Sequence, residues 1–544
     1  MAIKRFTATA DTTITNAFLE GLTTRATGSN IGLSDSLEVF SVYGQSSGSL
    51  NGFTSELSRV LVKFPITTSD DSVNSIQAKR AAGKIPASGS VSFYFRLHNV
   101  AHHETLPTSA KYNIFAASSS WEEGRGIDLD TYTDKTLDGV GANWINASSG
   151  TAWGKAGGDY HTGSTTATAA DTEFMYSQTL ANGDEDIEVD ISGLVEQWID
   201  GTWNNYGLGI FLTSSQEAYF SSSTGDDLTA ANGAALHNLD GATTSYHTKK
   251  FSARGSEYFF NRPTIEARWN SATKDERGTL YYSSSLATGE ENLQTLYFYN
   301  YFRGKLRNIP GIGTDTIRVS LFSGSSADTA PSGSALQLVV DGAAVTHANR
   351  NTVITGSYVS TGIYSASFAL TAAATPLKTI YDVWFSGSDS VTDATTATQY
   401  HTGTIKPKTL SGFAIAPDTR YVTNIKNLRN VYRNDETSRF RLYTRHKNWS
   451  PTIYTKAVAS PEVNIIESGS YEVYRVVDDL RVISYGTGSD LYTQMSFDAS
   501  GSYFDLDMSM FESGYMYGIR ISHYNADAGS WVEQPETFKF RVED

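Results

Sequence analysis

The 544-residue chain carries 42 basic and 58 acidic side chains, a formal net charge of −16, and no cysteine. The lack of thiols excludes disulfides, zinc–thiolate sites and thiol nucleophiles, and so acidic a surface repels phosphate backbones, so nucleic acid is not an expected partner. Hydrophobic content of 39%, with 31 Tyr and 46 Gly, predicts short strands joined by tight turns, and the length suggests about three to four domains. Long amphipathic helical patterns are nearly absent, so the fold class is all-β. No run of about 18 apolar residues exists, so no membrane span is expected. Met1-Ala2-Ile3-Lys4-Arg5-Phe6 leads into a polar stretch without the apolar core of a signal peptide.

Residues 1–40 read as one or two strands around a polar loop, Thr23 to Asn30. Glu56 to Pro65 is a buried strand. Asp70 to Pro86 is a modest helical candidate, with Val73, Ile76 and Arg80 at helical spacing and Gly83 and Pro86 ending it. Val91 to Val100 alternates as a strand, and Tyr112, Ile114 and Ala116 are expected to form its neighbour. From Trp121 to Tyr160 the chain makes a long glycine-rich excursion carrying Trp121, Trp144 and Trp153. A loop that long is usually functional or disordered, and three tryptophans, which demand burial or a ligand, argue against disorder.

Ile187 to Leu212 organises the N-terminal half. Ile187, Val189 and Ile191 alternate with Glu188 and Asp190, as in a half-buried strand. Ser192 is expected to cap a short helical turn, Leu194 to Ile199, with Trp198 as its anchor; Gly201 ends it. Asn204-Asn205-Tyr206-Gly207 reverses the chain into a strand at Leu208, Ile210 and Leu212. Strand, buried turn and strand make the corner of a β-sandwich.

These residues carry a resemblance. Asp190-Ile191-Ser192-Gly193-Leu194-Val195, Gln197-Trp198, Gly201 and Asn205-Tyr206-Gly207-Leu208 resemble the signature of DNRLRE-type β-sandwich domains. Upstream, Asp11-Thr12-Thr13-Ile14, Arg59-Val60-Leu61-Val62-Lys63-Phe64-Pro65 and Ser120-Trp121-Glu122-Glu123-Gly124 resemble further parts of it, in order, and Pro263 to Trp269 resembles its last strand. The match covers roughly residues 1–270. It implies a jelly-roll type sandwich found in surface and secreted proteins, often beside or as carbohydrate-binding modules. In overall texture the whole chain resembles virion structural proteins of contractile-tailed marine cyanophages.

Ser271 to Gly278 is polar and turn-rich, a linker candidate. Residues 279–410 give strands at Thr295 to Tyr301, Thr316 to Phe322, Leu336 to Val340, Gly362 to Leu370 and Thr379 to Phe385, a spacing that suggests an immunoglobulin-like sandwich. A further sandwich is expected over residues 411–544, with strands at Phe413 to Ala416, Arg439 to Thr444, Ser470 to Arg475, Arg481 to Ser484, Tyr515 to His523 and Thr537 to Val542. The expected architecture is therefore tandem β-sandwich domains: one over 1–270, then two immunoglobulin-like sandwiches.

Four features could carry chemistry. Trp121, Trp144, Trp153 and Tyr160 could stack on the pyranose faces of a glycan, or simply pin the loop to the sandwich. Asp128, Asp130 and Asp134, with Glu122, Glu123 and Asp138, could hold a structural Ca²⁺ or be a solvated acidic loop; no other cofactor is expected. His102-His103-Glu104 invites a metal reading, but adjacent strand residues point to opposite faces. Finally, Arg420 to Lys447 is basic, and in Arg439-Phe440-Arg441-Leu442-Tyr443-Thr444-Arg445 the arginines share one face. With Arg429 and Arg433, they form either a solvated face or an electrostatic dock for an acidic neighbour, such as another copy of the chain.

No nucleophile elbow, phosphate loop or dinucleotide fingerprint is present, so no enzyme is expected. Together with the resemblance, these features imply a structural protein of a tailed-phage virion, assembled in the host cytoplasm. Its place would be the neck, collar, tail or capsid surface, in several copies against other virion proteins. The alternative is a carbohydrate-binding adhesin that uses the Trp121–Tyr160 loop on host-surface glycans.

Overall fold

A computed structural model describes the chain apart from residues 1, 20–24, 45–53, 128–136, 139, 163–173, 222–234, 341–349, 372–374, 389–391, 409–419, 451, 454–462, 487, 489 and 526–528. The protein is all-β, a series of tandem β-sandwiches. It divides into two compact units, Ala2–Asn270 and Ser271–Asp544.

In the first unit, apolar alternation sorts the strands into two sheets. One sheet has four antiparallel strands in the order Ile3–Thr7, Thr264–Arg268, Ser92–Leu97, Ile187–Asp190. Every second residue of Ser92–Leu97 is buried, so Phe93, Phe95 and Leu97 face inward together, each worth about 1.5–3 kcal/mol of burial. The larger sheet runs Met175–Leu180, Ala110–Ala116, Leu208–Leu212, Thr54–Lys63, Ser36–Gly44, Tyr246–Ser252. Ala10–Thr15 also pairs with Thr54–Lys63. Asn16 manages the handover between those partners: its Oδ1 accepts from Leu57 N at 2.6 Å and its own N donates to Leu57 O at 3.1 Å. The edge-to-face pair Phe64–Phe95, with centroids 5.8 Å apart, brings apolar residues from next to the larger sheet against the smaller one.

Two local expectations are corrected here. Ala110–Ala116 is not a neighbour of Ser92–Leu97: it pairs with Met175–Leu180 and Leu208–Leu212 in the other sheet. The connection crosses the sandwich, because each strand buries one face and the two faces must oppose each other. Ser192 lies inside the helix Ser192–Asp200 and caps nothing. Its Oγ accepts from Phe93 N at 2.7 Å and donates to Asp190 Oδ1 at 2.5 Å, tying the helix to the sheet edge. Leu194, Val195 and Trp198 form the helix's buried face, and Gly201, at φ 82°, ends it.

The second unit contains two sets of sheets. Residues 294–405 form a nine-stranded set in which Ile363–Leu370 pairs with Gln294–Tyr299, Leu338–Val339 and Ile354–Ser360. Trp384, Leu296, Tyr364 and Phe368 fill its core. Residues 421–543 form a four-stranded sheet (Tyr421–Ile425, Thr437–His446, Gly501–Asp507, Ser496–Asp498) and a six-stranded one centred on Met516–Asn525. Tyr471 of the six-stranded sheet stacks on Phe504 of the four-stranded one at 4.2 Å and joins the two, while Phe504 stacks at 5.3 Å on its cross-strand neighbour Phe440. The strand expected at Phe413 to Ala416 lies outside the described residues.

Residues 271–278 are not a free linker. Asp275 N donates to Phe497 O and Phe497 N to Thr273 O, at 3.0 and 2.9 Å. Arg277 makes a two-pronged bond to the fully buried Asp382 at 2.6 and 2.7 Å. Burial opposes ionisation of Asp382, but Arg277 outweighs it and holds the carboxyl below its usual range. The polar composition that reads as a linker instead supplies hydrogen-bonding groups that join the unit's two sandwiches.

Candidate functional site

The Trp121–Tyr160 excursion is an ordered wall of the first sandwich over its described residues. Asn30 pins its start: Nδ2 donates to Glu123 O and Ala142 O at 2.8 and 2.7 Å, while Oδ1 accepts from Gly32 N and Gly126 N. The approach is so close that a Cβ at Gly124 or Gly141 would collide with the Asn30 side chain. Both glycines also sit at positive φ.

The aromatic residues of the loop point inward. Trp144 is 0% exposed and Trp153 2%, packed with Ile14, Leu57 and Leu61. Trp153 Nε1 donates to Asn143 O, half-buried Trp121 donates to Tyr206 O, and Tyr160 OH donates to Gly157 O. Trp144 and Trp153 therefore offer no free ring face, and the glycan platform expected of Trp121, Trp144, Trp153 and Tyr160 is corrected. The energetic reason is that a Trp ring gains more from a packed core than from a solvated loop tip.

Beneath these rings lies a buried ion pair. Arg59 Nε and Nη2 reach Glu217 at 2.9 Å each, and Nη1 donates to Gly157 O. The guanidinium lies 4.7 Å from the Phe211 centroid, 5.6 Å from Trp144 and 5.8 Å from Tyr160. Burial disfavours the charge, yet Glu217 outweighs it and keeps Arg59 ionised; burial raises the Tyr160 phenol well above its normal range. This cluster clamps the loop to strand Thr54–Lys63.

The acidic residues divide between described and undescribed segments. Asp128, Asp130 and Asp134, the expected Ca²⁺ ligands, lie outside the described residues. Glu123 is committed to Arg254 through both oxygens and also accepts from Asp11 N at 2.9 Å. Asp11, 1% exposed, is pushed up to about 7 by burial, against the hydrogen bond from Arg254 N. Among the described residues no group of three His, Asp or Glu side chains is placed to hold a metal ion. His102 is buried at 5% side-chain exposure and His103 is open at 94%; both lie against Glu104, at 2.9 and 3.9 Å.

A second charged network ties neighbouring strands of the four-stranded sheet together. Glu266, 1% exposed, receives Arg5, Arg96 and Arg268. Burial pulls against its ionisation, but the three guanidiniums hold it far below the usual carboxylate range.

The arginine strand Thr437–His446 has the expected two faces: Phe440 and Leu442 are fully buried, with Arg439 exposed and Arg441 and Arg445 half-buried. Its charges, however, are matched within the chain. Arg439 pairs with Asp505, Arg441 with Asp498, Arg429 with Glu436 and Arg433 with Asp435. Arg445 donates to His446 O and lies near Trp449. An array of unneutralised cations waiting for an acidic subunit is thus not what this strand presents.

Two exposed features escaped the sequence reading. The hairpin Tyr301–Phe302/Lys305–Leu306 projects aromatic and basic residues, and Trp531 stands 51% exposed beside Tyr524, with ring centroids 5.7 Å apart. An Arg-Gly pair between aromatic and basic residues was the available hairpin signal.

No family model and no curated protein matches the chain. Among solved structures, it is similar to fibronectin(III)-like modules of Clostridium thermocellum CbhA, at 9% identity over 50% of this chain and 92% of that one, with a TM-score of 0.14. Chimeric titin Z1Z2 gives 12% identity over 46% and 89%, TM-score 0.14. Native E. coli alpha-2-macroglobulin gives 7% identity over 91% of this chain but 23% of that one, TM-score 0.15. At these scores the fold description rests on the strands and sheets themselves.

Proposed function

We propose that this chain is a non-enzymatic structural protein of a tailed-phage virion, with a DNRLRE-like sandwich first, present in several copies against other virion proteins. The observation that carries this reading is how the Trp121–Tyr160 loop spends its chemistry. Its tryptophans are buried or half-buried, and the Arg59–Glu217 pair beneath it is closed off from solvent. Groups that could have served a cleft instead stiffen a wall. Rigid sandwich surfaces suit a part that bears load and offers contacts. The signature residues around Trp198 support the DNRLRE-like sandwich, and the cyanophage-like texture of the whole chain supplies the virion context.

The test is cryo-EM of purified phage particles whose genome encodes this chain, with mass spectrometry of the same particles. Density for these sandwiches on neck, collar, tail or capsid, at a fixed copy number, is the expected result. A chain absent from washed particles would end the structural reading.

A second reading has one observation in its favour. The exposed Tyr524–Trp531 pair is a surface on which a glycan could stack. It predicts glycan-array binding that disappears in Trp531→Ala and persists in Trp121→Ala.

A further inference from the structure

We infer that the hairpin Tyr301–Leu306 is a docking finger for the acidic N-terminal unit of a second copy of this chain. The hairpin is closed by a two-residue turn, with Tyr301 opposite Leu306 and Phe302 opposite Lys305. Its turn residues, Arg303 and Gly304, have φ of 50° and 78°. This is the mirror-type turn whose twist matches the strands, and it favours Asn or Gly at its first position. An arginine there costs about 1–2 kcal/mol in left-handed backbone. A charged residue at a strained tip points to use.

The surrounding chemistry fits a protein contact. Tyr301 is 56% exposed and Phe302 51%. The guanidiniums of Arg303 and Arg307 lie 5.2 and 5.3 Å from the Phe302 centroid, which orders them before any partner arrives. Arginine beside tyrosine is the composition of interface hot spots. Unlike Arg429, Arg433, Arg439 and Arg441, the cations of Arg303, Lys305 and Arg307 form no ion pair with any described carboxylate. No acidic residue occurs between Glu291 and Asp315.

The occupant follows from charge complementarity. Residues 1–270 hold 30 acidic and 18 basic side chains, a balance of −12 out of the chain's −16. Their densest acidic run is Asp184-Glu185-Asp186-Ile187-Glu188-Val189-Asp190, and Asp184, Asp186, Glu188 and Asp190 are exposed. Glu188 already pairs with Arg96 and Arg268, and Asp186 with His98, so Asp184 is the acid placed to receive the finger. Ile187–Asp190 is also the edge strand of the four-stranded sheet. The Gln178 side chain covers part of its outward row, bonding Glu188 N and Asp186 O at 2.9 and 3.0 Å, so the finger meets the exposed carboxylates and not the backbone. Finger and acceptor lie on different units, so the contact is head-to-tail and builds rings or chains of copies. It does not depend on the virion reading, since purified chain alone should form it.

The experiment is sedimentation velocity of the full chain over a concentration series, at about 50 and 500 mM salt, where screening differs strongly. The expected result is reversible association that weakens at least about tenfold at high salt, as steered charged contacts do. Triple reversal, Arg303→Glu with Lys305→Glu and Arg307→Glu, should leave a monomer, and Asp184→Lys should weaken association. Mixing the triple variant with Asp184→Lys should restore hetero-association. Arg303→Gly separates folding from docking, because it relieves the turn and removes a charge: thermal stability should rise while association falls. A chain monomeric throughout the series, or association unmoved by the triple reversal, overturns the proposal. Loss with the triple reversal but no effect of Asp184→Lys overturns the Asp184–Asp190 edge as the acceptor.

Discussion

Single buried residues carry much of the first sandwich. Trp144 lies between Arg59 and the apolar floor of Leu57, Leu61 and Ile14, so Trp144→Ala removes a ring and strips one wall from a buried charge. A loss of about 3–5 kcal/mol is expected, read as a lower urea midpoint, with no glycan-specific effect. His523 is the corresponding weak point of the second unit: 3% exposed, with neither ring nitrogen hydrogen-bonded, it is lowered from 6.5 to about 4 by burial. The folded state therefore binds this proton less tightly than the unfolded chain. Stability that is complete above pH 6.5 should be lost progressively as pH falls towards 4, by about 3 kcal/mol in total. Urea midpoints measured across that window should show the slope, and His523→Leu should remove its share. An unchanged slope in the variant would assign the pH dependence elsewhere.

At the scale of elements, close packing between strand and loop matters more than propensity. Leu208–Leu212 is buried at all five positions and lies between Thr54–Lys63 and Ala110–Ala116. Gly209 sits in its middle because the Tyr160 ring lies directly over it, and a methyl group there would overlap that ring. Gly209→Ala should cost about 1–3 kcal/mol despite alanine's better backbone entropy. The second substitution Tyr160→Ala should make Gly209→Ala close to neutral, a coupling that a double-mutant cycle in urea would measure. Additive losses would mean that the two residues do not share this space. Strand Thr54–Lys63 was legible from its apolar run, as was the corner around Trp198. The partner of Ala110–Ala116 was not: alternation reports which face is buried but not which sheet receives it.

For the whole molecule, the boundary at Asn270/Ser271 separates two units, each with its own sheets. Fragments 2–270 and 271–544, expressed separately, should each unfold in a cooperative transition with native-like spectral dispersion. A fragment that is molten or insoluble alone would contradict that division. Within the second unit no similar cut is expected near residue 278, because Arg277–Asp382 and the Thr273–Phe497 backbone bonds join its two sandwiches.

From the sequence alone came the all-β class, the buried faces of Ser92–Leu97 and Thr437–His446, and the turn around Trp198. These follow from the two-residue period of the pleat and the left-handed backbone of glycine, both local properties. Only the tertiary structure decided that Trp144 and Trp153 are core residues and not a platform, because burial depends on what folds over a side chain. Likewise, the charge of Arg439 and Arg441 was legible, but its neutralisation was not: Asp505 and Asp498 lie 66 and 57 residues away. Among the described residues, Arg303, Lys305 and Arg307 at the Tyr301–Leu306 hairpin do stand without a carboxylate partner. Periodicity is written along the chain, whereas pairing depends on which distant segments the packed core brings together.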